Sequence, residues 1–312
     1  MKLLQPPRLR RGDLIALISP ASAPSSSDKI GKAIRYLESL GYRTTVGKHA
    51  MAQRGYLAGT DEQRASDLNE MLNDRNVKAI IALRGGYGTP RLLPLIDYRA
   101  VKKNPKVIVG YSDLTALQLA LFKKTGLITF SGPMAAVELW ERIDPFTEEN
   151  FWELLTSPAK RILSNPPDSP SVPLRKGNAR GRILGGNLAL VVSMLGTPFS
   201  PEFKNAILVV EDIDEAPHRV DRMFMHLENA GILKSLRGLI YGQFTDCVPS
   251  DPSTPHLTVE EVLKEFAGRL RVPVLSGLQY GHIAKKLTIP FGLQVELNAE
   301  KGTIAMLEPA VT

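Results

Sequence analysis

Lys106-Val107-Ile108-Val109-Gly110-Tyr111-Ser112-Asp113-Leu114-Thr115 is the stretch whose reading decides the fold. A short apolar run ends in Gly-Tyr-Ser, and Leu114, Leu117 and Leu121 follow at helical spacing. Strand, tight turn and helix in this order are the unit from which parallel sheets are built. A strand covered on both faces reads as a continuous apolar run, and Ala79-Ile80-Ile81-Ala82-Leu83 repeats that pattern upstream.

Working outward, strands are expected at 13–19, 43–46, 77–83, 106–110 and 127–131. Helices are expected between them at 27–40, 60–73, 89–96 and 113–125, the last with one apolar stripe against the sheet. The alternation predicts an α/β fold with a parallel sheet in an N-terminal domain over 1–155. From 156 to 181 Ser, Pro, Asn and Gly dominate and no apolar period survives, so this stretch is expected to be a linker. A smaller, mixed α/β domain with a smaller sheet is expected over 182–312, with strands at 206–210 and 238–243, helices at 217–230 and near 259–268, and a β-rich end over 272–307.

The composition excludes several classes of function. A chain of 312 residues with 43% hydrophobic and 23% charged residues is that of an ordinary globular protein. The net charge of +7 is spread over short groups such as Lys102/Lys103 and Lys285/Lys286, with no basic stripe interleaved with aromatics, so no nucleic-acid partner is expected. A mild positive field suits a small substrate carrying carboxylates equally well. With Cys247 alone no intramolecular disulfide forms, which agrees with a reducing cytoplasm. No apolar run reaches the length of a signal peptide's core or a membrane span, and no membrane partner is expected.

At the elbow, Ser112 has two uses. The turn can lift its hydroxyl above the sheet as a nucleophile, with the backbone N–H of Asp113 at the helix N-terminus facing a developing oxyanion. It can equally be an N-cap. Arg84-Gly85-Gly86-Tyr87-Gly88 forms a second turn at a strand end. It lacks the glycine-rich dinucleotide and P-loop patterns, so its alternatives are ligand approach or a plain glycine turn.

An activated serine needs a base, and His49, His218, His226, His256 and His282 are available. His282 follows Gly281 after an apolar run, a turn able to present an imidazole. His218 and His226 lie eight apart with no third ligand, so no metal or other cofactor is expected. Glu211, the first polar residue after Ile207-Leu208-Val209-Val210, is the candidate acid; it can also serve the dipole of the next helix, as Asp212, Asp214 and Glu215 can.

In order, these pieces resemble the LD-carboxypeptidase family of serine peptidases, which includes muramoyltetrapeptide carboxypeptidases. The matching stretches also include Ile18-Ser19-Pro20-Ala21-Ser22, Gly132-Pro133-Met134, Gly185-Gly186-Asn187-Leu188, Arg219-Val220-Asp221-Arg222 and Leu287-Thr288-Ile289-Pro290. The resemblance implies a Ser112–His282–Glu211 triad and an oxyanion hole from the N–H groups of Gly86 and Asp113; a carboxypeptidase must also hold its substrate's terminal carboxylate, and the cation and backbone donors of the 84–88 loop make Arg84, with Gly85 and Tyr87, the expected substrate contacts. The resemblance further implies a murein tetrapeptide substrate cut before its terminal D-alanine, and a homodimer. Ser131, His218 and Ile283-Ala284 depart from the family pattern. A same-fold hydrolase of microcin C-like peptide-nucleotides is the second reading, and a non-catalytic nucleotide- or sugar-binding protein using the 84–88 loop is the third.

Overall fold

The computed structural model describes residues 2–140, 142–251 and 253–312. In its N-terminal half the chain runs β1 (Leu14–Ile18), α1 (Ser27–Ser39), β2 (Arg43–Val46), α2 (Asp61–Asn73), β3 (Val77–Ala82), α3 (Thr89–Leu92), α4 (Tyr98–Lys103), β4 (Val107–Val109), α5 (Leu114–Thr125), β5 (Thr129–Ser131) and α6 (Pro145–Thr156). It continues through β6 (Ile162–Ser164), β7 (Val172–Arg175), β8 (Asn178–Asn187), α7 (Leu188–Ser193), β9 (Ala206–Ile213), α8 (Pro217–Asn229) and β10 (Gly238–Thr245). The end is α9 (Val259–Arg269), β11 (Val274–Ser276), β12 (Ile289–Phe291), β13 (Gln294–Asn298) and β14 (Thr303–Met306).

Two sheets result, in the expected α/β class. The first has the order β12-β5-β4-β3-β1-β2, parallel from β5 to β2. The second has eight strands, β6-β14-β13-β8-β9-β10-β11-β7, with a parallel centre from β8 to β11 and antiparallel flanks. The second sheet, expected to be the smaller, therefore has more strands than the six of the first. Two of them, β6 and β7, lie inside the stretch read as a linker. They form the two outer edges of the sheet, where most of their residues meet solvent and no apolar alternation is required.

The halves are not independent bodies. β12, from the C-terminal half, pairs antiparallel with β5 as the edge of the first sheet, with Ile289 opposite Ser131 and Phe291 opposite Thr129. Side chains alternate along each strand, so Ile15 and Leu17 face one core while Ala16 and Ile18 face another. Each core continues into the second sheet: Leu208 and Val210 join the layer of Ala16, while Ile207 and Val209 join the layer of Ile15.

Helix α5 shows the same sharing. Instead of one stripe, every residue from Leu114 to Phe122 is buried, because the first sheet covers one side and β8 with α7 the other. Its buried polar residue Gln118 donates from Nε2 to the carbonyls of Gly110 (3.0 Å) and Phe130 (2.9 Å), fixing the end of β4 just before Ser112.

Where β8 meets the first turn of α5, Gly186 has φ +128°, and a methyl group there would collide with the Thr115 side chain. The next N–H, of Asn187, donates to Thr115 Oγ1 at 3.0 Å. Gly186→Ala combines a forbidden backbone region with a packing clash, and we expect it to lower the unfolding free energy by about 2 kcal/mol or more in denaturant titration. Stability equal to the parent would contradict this account of the junction.

Candidate active site

Three neighbouring strands of the first sheet end at one place. β1 runs into Ser19–Pro20, β3 into the 84–88 glycine loop, and β4 into the elbow at Ser112. Carboxyl ends of parallel strands near a reversal of strand order, here between β1 and β3, are where open α/β sheets bind ligands.

Ser112 has φ +63°, the left-handed region, which costs a non-glycine residue roughly 1–2 kcal/mol. The N-cap alternative is excluded, since Asp113 occupies that position and no side chain there caps the helix. Gly85 faces the serine: a Cβ on it would lie 3.1 Å from Ser112 Oγ and 3.6 Å from the Asp113 nitrogen. The glycine loop and the elbow thus lie so close that a side chain larger than hydrogen fits at this position only if the serine gives way.

They are also tied together. The buried Asp113 carboxylate accepts the Thr89 N–H at 2.8 Å, and Thr89 Oγ1 donates to the Asp113 carbonyl. Burial raises the Asp113 pKa above the usual carboxylate value, opposed by these hydrogen bonds and by Arg64. Arg64, itself buried, donates from Nη1 to Gly88 O (2.9 Å) and Pro20 O (2.6 Å), which braces the loop from behind. Ser22 Oγ donates to Tyr56 O at 2.5 Å and accepts the Tyr87 N–H at 3.2 Å. Among the described residues the N–H groups of Gly86 and Asp113 have no acceptor within the chain.

The second sheet supplies the other half. β9 extends beyond the expected end at 210, so Glu211 and Asp212 are strand residues with opposite orientations, both buried. Glu211 Oε2 accepts from His282 Nδ1 at 2.7 Å, with the glutamate fully buried and the imidazole partly accessible. This bond leaves Nε2 as the other ring nitrogen. Gly281, at φ +121°, permits the approach, since a Cβ there would lie 2.7 Å from Glu211 Oε2. Thr245 Oγ1 donates to the His282 carbonyl at 3.2 Å and fixes the turn. Tyr111, the residue before Ser112, meets the His282 ring edge-on with centroids 5.0 Å apart. The structure therefore pairs His282 with Glu211 and sets the imidazole against Tyr111, the chain neighbour of Ser112.

Asp212 turns away. Its carboxylate accepts from Asn187 Nδ2 (2.7 Å) and the N–H groups of Ala189 (3.0 Å) and Ile213 (2.9 Å), joining β9 to the start of α7. Burial, reinforced by the Glu211 charge, pushes its pKa up to about 6 against those donors. Arg84 is half-buried and lines a 290 Å³ cavity with Ser25, Lys29, Ala136, Val137 and Trp140. Among the described residues its guanidinium has one hydrogen bond, a long one of 3.5 Å to Ala23 O. Tyr87 is 49% exposed and stands edge-on to the 67% exposed Tyr56, centroids 5.3 Å apart. Ser131, a departure from the family pattern, exchanges a 2.7 Å hydrogen bond with the buried Tyr280 hydroxyl. Among the described residues the other four histidines do not join the site's hydrogen bonds; His49 binds Asp67, and His256 binds Thr254 O. Among the described residues no three His, Cys, Asp or Glu are grouped to hold a metal ion, and no helix is long and apolar enough to cross a membrane.

The architecture is a two-sheet α/β fold with a polar junction between the sheets, and comparison with known proteins gives its class. Residues 15–132 match the LD-carboxypeptidase N-terminal domain and residues 180–297 the LD-carboxypeptidase C-terminal domain. The chain belongs to the LD-carboxypeptidase family and is a peptidase. It is 36% identical to the probable murein peptide carboxypeptidase of Bacillus subtilis (strain 168), over 99% of this chain and 95% of that one. Its fold matches the muramoyltetrapeptide carboxypeptidase of Oxalobacter formigenes with TM-score 0.81 and 34% identity, over 94% of this chain and 97% of that one. It also matches MccF in complex with glutamyl sulfamoyl guanosine, with TM-score 0.90 and 28% identity, over 99% of this chain and 100% of that one.

The strain at Ser112 gives a test of local geometry independent of turnover. Glycine relieves a positive φ whereas alanine does not. Ser112→Gly is expected to melt about 1–2 °C above Ser112→Ala, a difference of about 1 kcal/mol spread over the large unfolding entropy of a chain this long. Equal melting temperatures would contradict the left-handed elbow.

Proposed function

We propose that the protein is a serine LD-carboxypeptidase that releases terminal D-alanine from murein tetrapeptides, acting in the cytoplasm as a homodimer. The observation that carries this reading is the buried Glu211 hydrogen-bonded to His282 Nδ1 beside the strained Ser112 elbow. The probable murein peptide carboxypeptidase of Bacillus subtilis and the muramoyltetrapeptide carboxypeptidase of Oxalobacter formigenes, to which the chain is similar, support the substrate class.

In this reading Ser112 Oγ attacks the carbonyl carbon of the bond between the diamino acid's L-centre and D-alanine. His282 Nε2 takes the hydroxyl proton, and Glu211 holds the tautomer and stabilises the imidazolium. The N–H groups of Gly86 and Asp113 donate to the oxyanion. Collapse of the intermediate breaks the C–N bond, His282 protonates the departing amine, and an acyl-serine remains. Water then attacks with His282 again as base, releasing the tripeptide acid and free Ser112. Arg84, with Gly85 and Tyr87 beside it, is assigned to the terminal carboxylate. A charge-assisted hydrogen bond there contributes about 1.5–3 kcal/mol, roughly one to two orders of magnitude in kcat/KM.

The second reading, a peptide-nucleotide hydrolase of the microcin C kind, is favoured by one observation: the exposed Tyr56–Tyr87 pair offers an aromatic surface beside the glycine loop. Mass spectrometry of products from murein tri-, tetra- and pentapeptides and a microcin C-like conjugate separates the two. We expect the tetrapeptide to be cut, with its C-terminal amide and L-alanine epimer at least tenfold poorer. Ser112→Ala, His282→Ala and Glu211→Ala should each remain folded and lose roughly three or more orders of magnitude, with Glu211→Gln milder. Comparable rates on acid and amide would remove the carboxypeptidase assignment, and near-normal turnover by Ser112→Ala would remove the serine mechanism.

A further inference from the structure

Lys286 appears in sequence as half of a surface-like Lys285-Lys286 pair, yet the two part company. Lys285 reaches outward to Asp168 at 2.7 Å, whereas the Lys286 side chain is only 2% exposed. Its Nζ lies 2.6 Å from Glu138 Oε1 and 4.0 Å from the centroid of the Tyr111 ring. The same Glu138 Oε1 accepts the Tyr111 hydroxyl at 2.8 Å, and Oε2 accepts the Met134 N–H at 2.8 Å. The Lys286 backbone is anchored too: its N–H donates to Thr147 Oγ1 at 2.8 Å, and that hydroxyl donates to the Ala284 carbonyl at 2.9 Å.

A buried ion pair is a poor source of stability, because desolvating both charges offsets their attraction and apolar residues of the same size commonly do as well. What this pair does hold is the Tyr111 ring, by its hydroxyl through Glu138 and by its face through Lys286. That ring touches the His282 imidazole and precedes Ser112 in the chain. One largely buried cluster therefore fixes both ends of the proposed proton transfer, drawing its partly buried carboxylate from the segment after β5 and its buried ammonium from the loop that carries His282.

We propose that Lys286, Glu138 and Tyr111 are positioning residues for His282, holding its ring over the elbow and balancing the charge beside it. This rests on His282 being the base of the proposed mechanism. The charged and titratable groups around the imidazole are Glu211 on β9, Tyr280 preceding it and facing Glu211, Tyr111 with Glu138 and Lys286, and, beyond Glu211, Asp212, Glu215 and Cys247. Of these, Glu138 and Lys286 oppose one another one ring away from His282. Removing either leaves the other uncompensated.

The signs follow directly. In Lys286→Met the remaining Glu138 carboxylate favours the imidazolium, so the base loses its proton only at higher pH. In Glu138→Gln the remaining ammonium disfavours it, and deprotonation occurs at lower pH. The acidic limb of kcat/KM against pH, measured on the tetrapeptide, is expected to move up in Lys286→Met and down in Glu138→Gln, each by roughly half a pH unit or more. It should return towards the parent position in the double variant and stay there in Lys286→Arg. Tyr111→Phe removes only the tether to Glu138 and leaves the ion pair, so it keeps the fold safe; its kcat should fall about tenfold with little change in KM.

Limbs that stay put, or that move the same way in both single variants, would overturn the proposal, as would an unchanged kcat in Tyr111→Phe. His282→Ala distinguishes the two levels of the argument. An inactive His282→Ala with unmoved limbs in the other variants sinks the positioning role alone, while an active His282→Ala sinks the triad as well.

Discussion

The hydrogen bond between Glu211 and His282 joins β9 of the second sheet to the loop that runs from β11 to β12, but the serine it would activate follows β4 of the first sheet. The site therefore depends on a constraint larger than any one contact: the two sheets must meet at a fixed separation and angle. A shift of about 1 Å between reacting groups is enough to cost two orders of magnitude in rate. Much of the remaining structure makes sense as a way of holding that junction still.

Several connections hold it. β12 leaves the second half of the chain shortly after His282 and becomes an edge strand of the first sheet, so the histidine loop is anchored at its far end by backbone pairing. Gly186 and Asn187 at the end of β8 press on Thr115, three residues after the serine. Helix α5 is buried on all sides between the sheets, and the cores on both of its flanks run from one half into the other. These are contacts of a domain interior rather than of a hinged interface, and they leave the elbow and the histidine loop little freedom to separate. The strained φ of Ser112 is affordable in this setting because Gln118, Thr89 and Arg64 fix the backbone on every side of it.

What the sequence disclosed followed local physics. The apolar run and Gly-Tyr-Ser turn exposed β4, the elbow and α5 because each is specified within ten residues. Glu211 and His282 were visible as a polar residue ending an apolar strand and a histidine after a glycine, but their pairing is a contact across 71 positions. Their joint role came from the family resemblance rather than from spacing. β6 and β7 were illegible because edge strands need no apolar alternation. Lys286 was hidden for the opposite reason: adjacent lysines read as solvated, and only a carboxylate 148 positions away makes one of them a core residue. Likewise the single stripe expected for α5 missed the second sheet, whose strands lie far along the chain.

The central claim is that Glu211 of the second sheet, paired with His282 on the loop between β11 and β12, activates Ser112 at the end of β4. Treatment with a fluorophosphonate followed by peptide mass spectrometry addresses it most directly, since only an activated serine hydroxyl displaces fluoride at a useful rate. The account predicts one phosphonyl adduct, on Ser112, formed in the parent and slowed by roughly three orders of magnitude in folded His282→Ala. Labelling of another residue, or labelling of Ser112 at the parent rate in His282→Ala, would contradict it.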